Sequence, residues 1–182
     1  NHAFSLNERP LYMLILPRAC FLHVPKTGGS WATQAIKASG LEYEEYSPGG
    51  DAHTDLAHCP CPDKFKIAFV RHPLDLLRSY WQYKMGVGWD PRNPRDMACQ
   101  AADFPAFVRN VLEKFPGVCG AGFELFTGPP TAPIEFVGKY ENLVEDLILG
   151  LHLAGEEFDE ASIRSFPPLN VSDKTRFPAE YT

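Results

Sequence analysis

Two sets of residues in this sequence have the types and spacing to hold an anion. The first is Pro25-Lys26-Thr27-Gly28-Gly29-Ser30, which follows the apolar run containing Phe21, Leu22 and Val24 and precedes Trp31, Ala32, Ala35 and Ile36 at helical spacing. A strand that ends in glycines and opens into a helix is where α/β proteins bind phosphate. The first N–H groups of a helix lack partners, its start carries a partial positive charge, and glycines let the backbone approach an anion closely. Lys26 adds a full charge. The common nucleotide-triphosphate loop, G-x-x-x-x-G-K-[ST], carries its lysine after the glycines. Here the lysine comes first, so the loop reads either as an anion site of another kind or as an ordinary strand-to-helix turn.

The second set repeats the pattern. In Phe69-Val70-Arg71-His72-Pro73, a strand ends in a cation, Pro73 suits a first helical turn, and Ser79 lies eight positions after Arg71, about two turns into the helix. A guanidinium and a hydroxyl together can hold a phosphate. Taken singly, Arg71 also reads as a helix-terminal or surface ion-pair residue, and Ser79 as a neutral helix position. A third group, His53, His58, Cys59 and Cys61, invites a zinc reading. However, Cys59-Pro60-Cys61 is not the usual ligand spacing and no second pair follows. Free cysteines near a turn are the simpler expectation.

The elements that must position these residues follow from period and punctuation. Strands are predicted at 11–16, 19–24, 66–70 and 134–138, all short, apolar and rich in branched or aromatic residues. Helical spacing occurs at 30–38, 73–84, 104–115 and 142–153, the third following Asp103 as a cap. Strand–helix alternation predicts an α/β fold with a central, mainly parallel sheet. Three Gly- and Pro-rich stretches, 47–53, 86–96 and 126–133, read as loops that either bind or connect.

At 182 residues the chain fits one domain with a substantial core. Its 17 Lys and Arg against 23 Asp and Glu give a net charge of −6, which argues against non-specific binding to nucleic acid or an anionic membrane. Charge is unevenly placed. Residues 64–84 hold Lys64, Lys66, Arg71, Arg78 and Lys84 against Asp75 alone, whereas 141–160 are acidic without a Lys or Arg. Five cysteines without a framework spacing, no signal peptide and no membrane-length apolar run point to a reducing, cytoplasmic setting. The chain begins at Asn1 without a methionine, so an upstream segment is expected to have been trimmed.

The two phosphate-binding stretches together resemble the sulfotransferases that use 3′-phosphoadenosine-5′-phosphosulfate (PAPS). In that family a P-K-[TS]-G-[GST]-[ST] loop grips the 5′-phosphosulfate, and an R-[NDH]-P strand end with a serine eight residues after the arginine grips the 3′-phosphate. The stretches 137–147 and 169–174 look like the family's late strand and helix and its cofactor-closing loop, which brings in Lys174. The resemblance covers most of the chain, is poorest over 85–133, and is nearest the carbohydrate and bacterial branch. It implies a P-loop-like three-layer α/β/α fold over a single domain, 1–182. It also implies truncation after Tyr181, where relatives continue.

The resemblance further implies that Lys26 contacts the bridging oxygen and the transferring sulfuryl group, while backbone N–H groups from Thr27, Gly28, Gly29, Ser30 and Trp31 hold the phosphate. Trp31 matches a ring that stacks on adenine in the cytosolic branch, though it reads equally as a core aromatic. The desulfonated nucleotide, 3′,5′-adenosine bisphosphate (PAP), would be the product, and no metal is required in the family. In-line transfer to a hydroxyl needs a proton acceptor. His53 is the first choice, with His58, Glu42, Glu44, Glu45 and Asp51 in reserve and His23 assigned to packing. The acceptor would be a glycan or small molecule bearing a hydroxyl, with Trp81, Tyr83, Trp89, Arg92 and Arg95 as possible contacts or core. The rival classes are a P-loop-type nucleotide kinase and a non-catalytic nucleotide-binding module.

Overall fold

The computed structural model describes residues 12–48, 53–169 and 176–181. Its sheet has five strands: β1 (Met13–Ile15), β2 (Ala19–Leu22), β3 (Glu44–Tyr46), β4 (Phe65–Val70) and β5 (Phe136–Lys139), in the spatial order β3-β1-β2-β4-β5. The sheet is open and mixed. β2 and β4 run parallel with Leu22 beside Ala68, and β4 and β5 run parallel with Val70 beside Lys139. β1 is antiparallel to both β2 and β3.

The expected strands at 11–16, 19–24, 66–70 and 134–138 all have counterparts, but the mainly parallel arrangement needs correction. Pro17 and Arg18 leave too little chain between β1 and β2 for a crossover. Parallel neighbours need a connection of a dozen residues or more, so these two strands close as a hairpin, with Leu16 N–H donating to Ala19 O at 2.8 Å. The buried carboxylate of Glu156 fixes the start of β2 by accepting from Arg18 N–H (2.7 Å) and Ala19 N–H (2.8 Å).

The helices are α1 (Gly29–Ala38), α2 (Pro73–Val87), α3 (Pro94–Cys99), α4 (Phe104–Lys114), α5 (Val118–Thr127), α6 (Leu143–Ala154) and α7 (Glu160–Arg164). The four helices read from the sequence correspond to α1, α2, α4 and α6. Of the other three, α3 and α5 lie in segments whose composition hides them. In α5 the run Val-Cys-Gly-Ala-Gly puts two glycines into a helix, where each is unfavourable. The stretch 86–96, expected as a loop, contains Asn93-Pro94, and Asn93 caps α3 by accepting from Arg95 and Asp96 N–H.

Two compact units are present among the described residues. The first holds 12–70 and 123–169, the second 71–122 and 176–181. In the first, strand alternation sends Leu14, Phe21, Ile67 and Phe69 to one face, where they pack with Ala32, Ala35 and Ile36 of α1, Leu147 and Leu151 of α6, and Ile163 of α7. The other face presents Met13, Leu22 and Ala68 to Phe126 and Ile134. In the second unit, Leu77 and Trp81 of α2 pack with Cys99, Phe104, Phe107 and Val111. Its buried Asp96 pairs with Lys84 at 2.5 Å and accepts from Tyr80. Burial works against the Asp96 carboxylate, but Lys84, Tyr80 and the donating Asp90 N–H together outweigh it and hold the group below the usual range.

Candidate functional site

The backbone leaves β2 at Leu22, passes through the buried His23 and Val24, and turns at Pro25–Gly28 before entering α1. One feature of this turn is unusual. Lys26 has φ 63°, the left-handed region that costs a side-chain-bearing residue about 1–2 kcal/mol, and no other non-glycine described residue has a positive φ. Gly28, at φ 84°, is the N-cap of α1 and makes no side-chain cap, and the first turn of α1 has no acidic residue. α2 and α6 likewise start without a side-chain cap, whereas α3, α4 and α7 are capped by Asn93, Asp103 and Asp159. Thr27, fully buried, ties the turn down by donating from Oγ1 to Val24 O at 3.0 Å.

The two glycines are required by what lies against them. A Cβ on Gly29 would sit 2.6–2.9 Å from three atoms of the His23 ring. One on Gly28 would sit 2.6 Å from Leu143 Cδ2 and 3.0 Å from a Tyr140 ring atom, in addition to the left-handed φ. His23 is therefore a packing block beneath the start of α1, as its place on the apolar run suggested. Burial, helped by neighbouring His53, pushes its pKa down to about 3, so the ring is neutral at physiological pH.

His53 reaches this assembly from 30 residues away. Its Nδ1 lies 3.1 Å from His23 O, and the two rings meet edge to face at 5.1 Å. The structure thus gathers Gly29, His23 and His53 at the base of the Lys26 turn. His53 itself is exposed.

The remaining sequence candidates fall in varied places. Ser30 is half-buried in the first turn of α1. Trp31 is in the core: its ring meets Phe166 edge to face at 6.1 Å and its Nε1 donates to Pro167 O at 3.1 Å. Of the reserve bases, His58 is exposed beside Asp55, its Nδ1 2.6 Å from Oδ1. Glu42, Glu44 and Glu45 are exposed, and Glu45 is paired with Lys37. Lys174 and Asp51 lie outside the described residues.

In the second unit, half-buried Arg71 stands one residue beyond the end of β4, and half-buried Ser79 lies within α2. The ends of β2 and β4 fall at the same edge of the sheet, because these strands are parallel neighbours. Much of the basic segment is committed elsewhere. Lys64 donates to Pro17 O and Lys66 to Pro62 and Lys64 O, while Arg78 pairs with Asp75 and Lys84 with Asp96. The aromatics weighed as acceptor contacts are largely core. Trp81 is buried, with Nε1 donating to Ala101 O, and Trp89 packs on Phe107 at 5.7 Å, whereas Tyr83 is exposed. Arg92 pairs with Asp90 and Arg95 lies over the Phe115 ring. An open cleft of about 510 Å³ in this unit is lined by Arg78, Gln82, Pro178, Ala179, Glu180 and Tyr181, none of them singled out by the sequence motifs.

Among the described residues, no helix is long and apolar enough to cross a membrane. Comparisons with protein-family models, with curated proteins and with solved structures find no match to this chain.

Proposed function

We propose that this chain is a PAPS-dependent O-sulfotransferase that moves the sulfuryl group of PAPS to a hydroxyl on a glycan or small molecule. The observation that carries the reading is Lys26, held in a left-handed backbone conformation at the strand-to-helix turn before an uncapped helix start. A strained residue persists only where its surroundings over-determine it, and such residues concentrate at functional sites. This lysine is also the one whose place before the glycines distinguishes the sulfotransferase-like loop from the ATP loop. The reading includes the finer fold, a P-loop-like three-layer α/β/α arrangement, and a cytoplasmic setting consistent with five free cysteines.

In the proposed reaction, PAPS is a co-substrate gripped by two elements. Backbone N–H groups of the 27–31 segment hold the 5′-phosphosulfate, and Arg71 and Ser79 hold the 3′-phosphate, with Lys174 on the closing segment. The acceptor oxygen attacks sulfur in line, the bond from sulfur to the bridging oxygen breaks, and PAP leaves. Lys26 stabilises the charge that grows on that bridging oxygen. His53 takes the acceptor proton, oriented through Nδ1 by the His23 carbonyl. Trp31 acts as a support of the turn from the core side.

The test is radiolabelled-sulfate transfer from PAPS to a panel of phenolic and carbohydrate acceptors, run beside a binding assay with ATP and magnesium. Transfer from PAPS and a larger rise in melting temperature with PAP than with AMP are expected. Equal rises with PAP and AMP, or tight ATP–magnesium binding without sulfate transfer, would overturn the reading in favour of a kinase or a binding module.

A further inference from the structure

The sheet face opposite α1 carries a second chemical cluster, in a segment the sulfotransfer reading does not use. Cys20 is wholly buried in β2, on the same side of the strand as Leu22. The chain following the 3₁₀ turn at Leu56–His58 lies over this face, with Cys59 packed against the cluster containing Met13, Leu22 and Val24. Cys59 and Cys61 lie close enough to the Cys20 thiol to act on its ionisation, and the Cys59 thiol donates to Cys61 O at 3.8 Å. Two segments far apart in sequence therefore bring three thiols together.

The three thiols are not equivalent. Burial, reinforced by Cys59 and Cys61 beside it, pushes the Cys20 thiol well above its ordinary range, so it stays protonated and inert toward reagents from solvent. Cys59 and Cys61 are half-buried on either side of the exposed Pro60, and reagents reach them first. A reachable thiol with a second thiol close by is the arrangement of a reversible redox site, in contrast to an isolated structural cysteine.

We propose that Cys20, Cys59 and Cys61 form a redox-sensitive site, in which a peroxide converts two of the thiols into a disulfide joining β2 to the Cys59-Pro60-Cys61 hook. The thiolate of Cys59 or Cys61 attacks one peroxide oxygen. The O–O bond breaks, leaving a sulfenic acid on the cysteine and releasing hydroxide, which takes up the thiol's proton as water. The Cys20 sulfur then displaces the sulfenic oxygen, the S–S bond forms, and that oxygen departs as a second water with the Cys20 proton. Two electrons pass from two cysteines to one peroxide. The remaining thiol of the hook can attack the new bridge and move it by exchange, and an external thiol reopens it. This inference stands independently of sulfuryl transfer, because it is read from sulfur chemistry and not from turnover.

The experiment treats the reduced full chain with equimolar hydrogen peroxide, alkylates the remaining thiols under denaturing conditions, and maps the peptides by mass without reduction. The expected result is a cross-link between the Cys20 peptide and the peptide carrying Cys59 and Cys61, reversed by dithiothreitol. The melting temperature should rise by several degrees, since the bridge closes a loop of about 40 residues. Cys119 is also half-buried and serves as the comparison for accessibility alone. Cys20 remaining fully alkylatable, a bridge confined to Cys59 and Cys61, or Cys119 oxidised as readily as the hook would each overturn the proposal. Cys20→Ala should abolish the cross-link. Because a buried substitution can cost folding, the double variant Cys59→Ser, Cys61→Ser provides the second arm: it should leave Cys20 unoxidised, and oxidation of Cys20 in that variant would overturn the proposal.

Discussion

Replacing Lys26 by glycine and, separately, by alanine distinguishes the backbone cost of this residue from its chemical role. At φ 63° a side-chain-bearing residue carries about 1–2 kcal/mol of local strain. Glycine removes that strain but raises the entropy of the unfolded chain, which takes back roughly 0.5–1 kcal/mol. Alanine keeps the strain. Whatever the lysine side chain contributes to stability is lost in both variants and cancels between them, so Lys26→Gly should be more stable than Lys26→Ala by about 1 kcal/mol. In a chain of this size that corresponds to roughly 2–4 °C in Tm. Both variants lack the charge proposed to stabilise the leaving oxygen, and both should turn over PAPS at least about 10²-fold more slowly with a smaller loss of PAP affinity. Urea denaturation of the two variants measures the first quantity, and labelled-sulfate transfer measures the second. If glycine is no more stable than alanine, the left-handed strain is not real. If glycine is more stable but fully active, the strain serves something other than the lysine's charge.

Three further outcomes follow from the same geometry. Arg71→Ala should weaken PAP binding by about 1.5–3 kcal/mol in calorimetry, and Ser79→Ala by less; unchanged affinity in the arginine variant would remove it from the 3′-phosphate site. His53→Ala should lower turnover by roughly 10²- to 10⁴-fold while sparing nucleotide affinity, and the acid limb of the pH–rate profile should vanish with it; near-normal turnover with the limb retained would move the proton to His58 or an acid of the 42–51 segment. His23 controls stability. Its pKa is about 3 in the folded chain against 6.5 unfolded, so the unfolded state binds the proton first, and the stability from keeping the ring neutral is whole above pH 6.5 and is lost as the pH falls toward 3. Between pH 7 and pH 5 that loss amounts to about 2 kcal/mol, and His23→Leu should show correspondingly less acid sensitivity in urea melts.

The parts of the fold visible in the sequence were those with a strong local period. β2 and β4, with their covered apolar residues, and α1 and α4, with one apolar stripe each, lie within a few residues of their expected bounds. What escaped depended on partners or on composition. Two apolar runs separated by Pro17 and Arg18 carry the information for a hairpin, but strand–helix alternation alone predicts a mainly parallel sheet. β3 consists of Glu44, Glu45 and Tyr46, a segment with no apolar alternation that becomes a strand by pairing with β1. At the candidate site, the strand–turn–helix around Lys26 was readable because glycines punctuate it. The left-handed φ at a lysine was not, since nothing in that side chain favours it. Nor was the contact of His23 with Gly29, or of His53 with His23 O, because both are made by neighbours in space. Trp31 shows the limit of a motif, since a single aromatic at helical spacing fits a ligand face and a core face equally and only its contacts with Phe166 and Pro167 distinguish them.

An open sheet has two free margins, and here they differ in how they meet other molecules. Among the described residues, β5 is one margin and β3 the other. Unpaired edge N–H and C=O groups are templates on which a second chain can add a strand, the first step of edge-to-edge aggregation. β3 is only three residues long and carries exposed Glu44 and Glu45, the second paired with Lys37, so another copy of this acidic chain arriving at that margin would meet the Glu44 charge over a very short ladder. The strand thus gives β1 an antiparallel partner inside the molecule while its short length and the Glu44 charge make the outer margin a poor place for a neighbouring chain to pair. Replacing both acids with β-branched apolar residues would strengthen the local strand and, by the same change, remove the charge that keeps one molecule from zipping onto the next.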